Sequence, residues 1–325
     1  MIDPHKLLQS RAQLKKHTRN FFESKNYLEV ETPIVTRCPG AEVFLHYFET
    51  SWTDHSGVTH SRYLRSSPEL HMKRIVSEGL PRVFQVGPCF RNRGEYSEWH
   101  NPEFAMLEWY QVGLSYNAMI RETEEYLRTT ADSMASITLL KPSQILPDKF
   151  EWLGVYDAFK THAGIVLEDQ DPELAKKAIA ANVISVRPSD DFETAFFKTL
   201  IEKIEPVLAR LRGSVLMDYP ASQASLAVVE NGRASRFEFY LGRVEMCNGF
   251  YELTGEQNNR DRIGEALRER IKQGNDPVPE DEEFYRAMAK FTSPCAGNAL
   301  GFDRWLALLQ GQENLDFAIA FRGMK

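Results

Sequence analysis

Four groups of polar residues in this 325-residue sequence are of the types that handle phosphates and amines. The first is Phe90-Arg91-Asn92, followed by His100-Asn101-Pro102-Glu103-Phe104. An arginine at a strand end offers a forked pair of donors to a phosphate, and an aromatic ring on the facing strand gives a base a surface to stack on. The second is the trio Glu238, Glu245 and Glu252. If the chain turns back at Leu241-Gly242, Glu238 and Glu245 face one volume; like charges that close need a cation, and Mg²⁺ with phosphate oxygens is the usual one. The third is Gly301-Phe302-Asp303-Arg304, where glycine allows close approach to the backbone and Arg304 sits at a helix N-terminus, both favourable to phosphate. The fourth is Ser67-Pro68-Glu69 at another helix start: Ser67 is placed to cap, Pro68 needs no N–H in the first turn, and Glu69 can accept from an amine.

These groups need strands and helix ends to hold them. Val83 to Arg91 and Glu103 to Gln111 read as two antiparallel strands with a polar connection. In the second, Phe104, Met106, Glu108 and Tyr110 share one face and Ala105, Leu107 and Trp109 the other. A glutamate and a tyrosine beside Phe and Met predict that the first face lines a cleft. Val215 to Tyr219, Ser235 to Leu241 and Val244 to Phe250 read as strands, the last two joined at Gly242, and Ala296 to Leu300 as a final strand running into Gly301. Helices are expected over Leu7–Phe22, from Ser67 to about Glu78, over Tyr116–Met134, over Glu193–Leu211 despite Pro206, and over Arg304–Leu309. Tyr27 to Pro33 reads as a short strand closed by proline, Lys141 to Asp191 as mixed helix and loop, and Glu256 to Lys290 as two exposed, solvated helices. Helix first, then mostly antiparallel strands with helices grouped between them, predicts an α+β fold: one domain over residues 1–325, with a mostly helical insertion at about 141–212. A Rossmann or P-loop fold lacks its glycine signature here.

With 39 Lys and Arg against 46 Asp and Glu, the net charge is −7, which gives no global basic footprint for nucleic acid. No apolar run is long enough for a membrane span, and the start has no secretory signal, so a cytoplasmic, soluble protein is expected. Cys38, Cys89, Cys247 and Cys295 lie far apart with no C-x-x-C pair, and are read as reduced thiols rather than zinc ligands or disulfides.

Phe90-Arg91, His100 to Phe104 and Gly301 to Arg304 resemble motifs 2 and 3 of the class II aminoacyl-tRNA synthetases, and Tyr27 to Pro33 resembles their motif 1. More closely, Ser67-Pro68-Glu69, His100 to Tyr110, Pro220-Ala221-Ser222-Gln223-Ala224-Ser225-Leu226-Ala227 and Asn248-Gly249-Phe250-Tyr251-Glu252-Leu253 resemble the lysyl-tRNA synthetase subgroup. Within it the pattern is similar to a stand-alone family, the elongation factor P (R)-β-lysine ligases. The resemblance covers nearly the whole chain. Two features favour that family over the synthetases themselves. The sequence opens directly on the catalytic region, without the anticodon-binding OB-fold of roughly 100 residues that a synthetase carries. Ala299 stands where lysyl-tRNA synthetases have glycine and the ligases alanine; a methyl on the pocket floor would exclude an α-amino acid by at most a few kcal/mol, on the order of what one methylene decides.

The resemblance implies a class II synthetase-like antiparallel sheet flanked by helices and an ATP-dependent ligase that uses Mg²⁺. Arg91 would hold the α-phosphate and the carboxylate, Phe104 would stack adenine, Asn92, His100, Asn101, Met246 and Gly301 would help place the nucleotide, and Arg304 would hold the γ-phosphate. Glu238 and Glu245 would hold Mg²⁺, and Arg91, Arg304 and Glu245 would carry the catalysis. On the substrate side Ser67, Pro68 and Glu69 would receive the backbone amine, Asn248 the carboxylate, and Tyr110 with Glu252 the ε-ammonium, over Ala299. The implied reaction is adenylation of (R)-β-lysine and transfer to a lysine of elongation factor P by a homodimer, with no stable tRNA binding and no membrane. The sequence departs from the family at Arg93, where a glutamate is usual and Glu95 could substitute, and at Cys247, where relatives have Ala or Gly next to the pocket. The other readings are a truncated lysyl-tRNA synthetase activating L-lysine and a non-catalytic synthetase-like regulatory subunit.

Overall fold

The structure, a computed structural model, describes residues 4–94, 97–138 and 140–322. Its strands are β1 (Leu28–Glu29), β2 (Val35–Thr36), β3 (Phe48–Thr53), β4 (Thr59–Leu64), β5 (Arg82–Phe90), β6 (Glu103–Val112), β7 (Glu151–Gly154), β8 (Ser214–Pro220), β9 (Val229–Glu230), β10 (Arg233–Leu241), β11 (Val244–Tyr251) and β12 (Cys295–Gly301). Two compact units form: one from the chain up to Pro142 together with Glu252 onward, the other from Ser143–Tyr251.

In the first unit the strands run β1-β5-β6-β12. β1 is parallel to β5 and the other pairings are antiparallel, so the expected antiparallel sheet is mixed at its edge. Helices α1 (Pro4–Ser24), α2 (Glu69–Ser77) and α3 (Tyr116–Met134) match the expected periodicity. Leu7, Leu14, Phe21 and Phe22 of α1 are buried, as is the α3 stripe Met119, Ile120, Tyr126, Leu127 and Met134. Phe22 lies at the centre, 4.7 Å from the Phe84 ring, 5.4 Å from Trp109 and 5.6 Å from Tyr126. A side chain so enclosed contributes about 1.5–3 kcal/mol by burial alone. Trp109 and Phe84 therefore belong to the face that α1 and α3 cover, and alternation assigns Met106, Glu108 and Tyr110 to the other, where Met72 and Val76 of α2 pack on Tyr110.

Two expectations for this unit change. Ser67 does not cap α2 in the usual position: Pro68 is the N-cap residue, and the Ser67 hydroxyl accepts from the Glu69 N–H at 3.2 Å. The helices Glu256–Lys272 and Glu282–Met288 are not merely solvated, because Asn259, Arg270, Phe284 and Tyr285 are buried. Arg270 Nη1 donates to the carbonyls of Glu42 (2.9 Å) and Leu45 (2.5 Å), and its Nε to that of Asp276 (2.6 Å), so it straps the 42–45 loop. A three-stranded sheet, β2-β4-β3, was not foreseen; it turns at Asp54-His55-Ser56-Gly57, where Asp54 accepts from the N–H groups of Ser56 and Val58.

In the second unit the strands run β11-β10-β8-β7, with β9 on β10. The stretch read as helix and loop contains β7, which pairs parallel to β8. The expected long helix over 193–211 bends through a π-helical turn, Leu200–Ile204, and resumes at Glu205–Arg210 with Pro206 in its first turn. A proline removes one backbone donor and crowds the preceding turn, which the wider π-turn accommodates. Phe159 stacks on Phe196 at 5.1 Å among Leu174, Leu200, Ile204, Leu216 and Tyr219, giving the unit its own core.

Candidate active site

Glu108 and Tyr110, on the face of β6 that α2 packs against, stand opposite Ala299 and Gly297 of β12, and Met106 stands opposite Gly301. Three small residues thus floor the space beside a glutamate and a tyrosine. The floor is fitted closely at Gly297, where a Cβ would lie 2.3 Å from the Tyr110 ring and 2.4 Å from Glu252 Oε1. Tyr110 donates its hydroxyl to Glu108 Oε2 at 2.9 Å; Glu108 Oε1 is buried with no hydrogen-bond partner among the described residues.

Glu69 and Glu252 complete this group, joined by a residue that sequence reasoning missed. Lys73, one turn after Glu69 on α2, is 1% exposed and sets its ammonium 2.6 Å from Glu69 Oε1 and 2.6 Å from Glu252 Oε2. Three carboxylates, Glu69, Glu108 and Glu252, share this one ammonium. Arg65, also buried, donates through Nε to the Pro88 carbonyl and through Nη1 to the Thr32 hydroxyl and carbonyl, and its charge offsets part of the rise at Glu108. The imbalance registers as protons. Burial, then the Glu69 charge, pushes Glu108 up to about 8. Burial pushes Glu252 up to about 7 against the pull of Lys73. Burial draws Lys73 down, but Glu252 and Glu69 outweigh it and hold the ammonium charged. Such a pocket holds more carboxylates than cations.

The predicted nucleotide residues of this unit gather around the β5–β6 connection. Arg91 lies with its guanidinium 5.2 Å above the Phe104 ring, and its Nε is buried without a hydrogen-bond partner among the described residues. Arg304 Nη2 donates to His100 Nε2 at 2.9 Å, which leaves His100 Nδ1 as the protonated nitrogen, donating to Ser97 Oγ at 2.8 Å. Arg304 Nε reaches the Trp99 carbonyl at 3.2 Å. Asp303 is structural: it accepts from the Ala105 N–H at 2.6 Å and pairs with Arg11 of α1. The Asn92 side chain is committed to the turn, accepting from the Arg93 N–H at 2.9 Å, whereas Asn101 Oδ1 is buried and without a partner among the described residues. Glu95, the suggested substitute for the missing glutamate, lies outside the described residues.

In the second unit, Glu238 stands opposite Asn248 and Tyr240 opposite Glu245, because the register slips between Phe239 and Tyr240 and leaves Met246 unmatched. The bulge rephases β11, so Glu245 shares the face of Glu238, Tyr240 and Asn248 although it is three residues from Asn248. Cys247, opposite Phe239, is thereby on the other face and buried, and does not line this side as the sequence had suggested. Glu238 accepts from Arg236 at 2.6 Å on Oε1, and from Tyr219 (2.6 Å) and Tyr240 (2.7 Å) on Oε2. Arg236, also missed, donates to Asn248 Oδ1 at 3.2 Å and lies 4.4 Å over the Tyr219 ring. No cluster of three or more His, Cys, Asp or Glu able to hold a metal occurs among the described residues. Two carboxylates on one face supply hard oxygens but cannot fill a Mg²⁺ shell alone, so they fit an ion that brings phosphate oxygens with it.

Glu252, third of the sequence trio, lies in the first unit, on the Lys73 ammonium, while Glu238 and Glu245 lie in the second. Glu108 had been placed on the cleft face with Tyr110 but given no role; of the missed residues, Lys73 was legible through its i,i+4 spacing from Glu69. Arg236 and Gly297 carry no pattern that singles them out.

A mixed α+β arrangement with a buried acidic pocket on β6 and β12, and arginines at Arg91 and Arg304, is that of a class II synthetase. The family model for tRNA synthetases class II (D, K and N) matches residues 3–325, and the chain belongs to that family. It is 33% identical over 321 residues to the elongation factor P–(R)-β-lysine ligase of Hamiltonella defensa, covering 97% of this chain and 94% of that one. The ligases of the same name from Vibrio cholerae and Proteus mirabilis are 32% and 33% identical, at the same coverage of each chain.

Proposed function

We propose that the chain activates (R)-β-lysine with ATP and transfers it to a lysine side chain of elongation factor P. The observation that carries this is the pocket in which Glu69, Glu108 and Glu252 outnumber the single ammonium of Lys73. A diamino acid brings two ammonium groups, which is the charge that the pocket lacks. Glu69 would receive one, and Glu108, Tyr110 and Glu252 the other. The carboxylate of the amino acid, already ionised, attacks the α-phosphorus in line; the bond to pyrophosphate breaks and an aminoacyl adenylate remains. The ε-amine of the acceptor lysine, in its neutral form, then attacks the acyl carbon, AMP leaves with the electron pair of the broken C–O bond, and the amine proton is released to solvent. Arg91 would meet the α-phosphate with its unfilled Nε, Phe104 would take adenine, and Arg304 with His100 would bind the γ-phosphate, so positioning and charge neutralisation supply the rate. Glu238 and Glu245 would hold a Mg²⁺ that neutralises phosphate charge, and Asn248 the amino-acid carboxylate.

Among the described residues no helix is long and apolar enough to cross a membrane, and a cytoplasmic location suits a partner from the translation machinery. Leu8, Leu28, Ile34 and Val35, around the motif 1 segment, are exposed and apolar, which supports a homodimer through that segment. Stable tRNA binding is not part of this reading, and residues 141–212 are taken as an insertion. ATP–pyrophosphate exchange with (R)-β-lysine, L-lysine or no amino acid, with and without Mg²⁺, tests it. Exchange that prefers β-lysine, followed by labelling of elongation factor P, is expected. Preference for L-lysine would favour a truncated synthetase, and no exchange a non-catalytic subunit.

A further inference from the structure

We infer that Lys73 is a positioning residue of the amine pocket: its buried ammonium spans Glu69 and Glu252 and so fixes the spacing and charge of the two receptors for the substrate's ammonium groups. The inference rests on the proposed function. Both contacts are 2.6 Å, so the two receptor oxygens cannot stand farther apart than those two bonds laid end to end. Glu69 rides on the first turn of α2, while Glu252 is anchored through its N–H to the Cys295 carbonyl at 2.8 Å. Lys73 is thus the tie between a helix and a strand edge, made at the pocket itself. Groups facing it are Glu69 and, beyond that, Glu42; Glu108 and Tyr110 on β6, the Tyr110 ring centroid 6.0 Å from Nζ; and Glu252 and Cys295 beside β12. Arg65 is the nearby second cation, bound to carbonyls and Thr32. With Lys73 in place the three glutamates leave room for two ammonium charges. Without it the group must retain one proton more to stay buried, and a protonated carboxyl receives an ammonium poorly.

A purely structural ion pair would show only in stability, so the test reads binding. (R)-β-Lysine and L-lysine are titrated calorimetrically, without ATP, into wild type, Lys73→Met and Lys73→Arg between pH 6 and 8.5, with melting curves and ATP binding recorded alongside. Lys73→Met should bind β-lysine at least ~10-fold more weakly at pH 7 and regain affinity as pH rises, while ATP binding is unchanged. Lys73→Arg, which keeps the charge but not the compact ammonium, should restore the wild-type pH profile and still lose discrimination between the two isomers. Wild-type affinity and pH profile in Lys73→Met overturn the inference. If that variant does not fold, an unaltered isomer ratio in Lys73→Arg overturns it. A wild type that binds neither isomer refutes the proposed function instead, and the role of Lys73 falls with it.

Discussion

Replacing Glu108 with glutamine removes a buried acid whose protonation the fold opposes releasing. The side chain is 1% exposed and its carboxyl is pushed up to about 8 from 4.5 by burial and by Glu69. The folded protein therefore holds a proton here that the unfolded chain has released, across the window from pH 4.5 to about 8. Stability falls as pH rises when the folded state binds more protons, by about 1.4 kcal/mol per pH unit for one group. At pH 7 this costs on the order of 3 kcal/mol, an upper figure because Glu252 and Lys73 relax with it. Glutamine keeps an oxygen for the Tyr110 hydroxyl and adds no charge. Melting temperatures of ligand-free wild type and Glu108→Gln, measured from pH 5 to 8.5, should diverge steadily, with the variant gaining several degrees relative to wild type. The same variant should bind β-lysine ~10- to 100-fold more weakly, having lost a charge-assisted contact. Parallel melting curves would show that Glu108 is already ionised and satisfied in the empty pocket, and the cation-deficit argument would fail with them.

Arg91→Ala should lose pyrophosphate exchange by at least ~100-fold, whereas exposed Arg268→Ala should not; equal activities refute the assignment of Arg91. Gly297→Ala puts a methyl within 2.3 Å of the Tyr110 ring and 2.4 Å of Glu252, so KM for the amino acid should rise ~10-fold or more at unchanged KM for ATP. Ala299→Gly should shift the kcat/KM ratio toward L-lysine by ~10- to 100-fold, measured with both isomers in the exchange assay. Arg270→Met should lower the melting temperature, losing roughly 3 kcal/mol as the 42–45 carbonyls lose their donor.

Long periodic elements were legible because period and burial coincide in them: α3 follows its apolar stripe from Tyr116 to Met134 as expected. β7 was not, since four residues, Glu151-Trp152-Leu153-Gly154, are too few to display a period, and the strand is defined by its partner β8. The charge pattern of 256–290 misled for a different reason. Arg270 is buried among backbone carbonyls, which no neighbouring sequence signals. Likewise Glu69 and Glu252 were visible as acids, but the cation between them came from reading α2 in three dimensions.

The pairing of Glu238 with Glu245 shows why spacing alone cannot assign a site. A simple hairpin about Leu241-Gly242 brings the two acids near each other in sequence register, yet strict alternation would put Glu245 and Asn248, three residues apart, on opposite faces. Asn248 is opposite Glu238, so one of the two acids would then point away. The unmatched Met246 resolves the conflict by moving Glu245 across. Tyr219, Tyr240 and Arg236 each feel both carboxylates, as they must if all five groups share a face. Three donors hold the buried Glu238 carboxylate in place, and Glu245 lies on its face only because a strand that has to present carboxylate and amide together gives up one rung of its ladder.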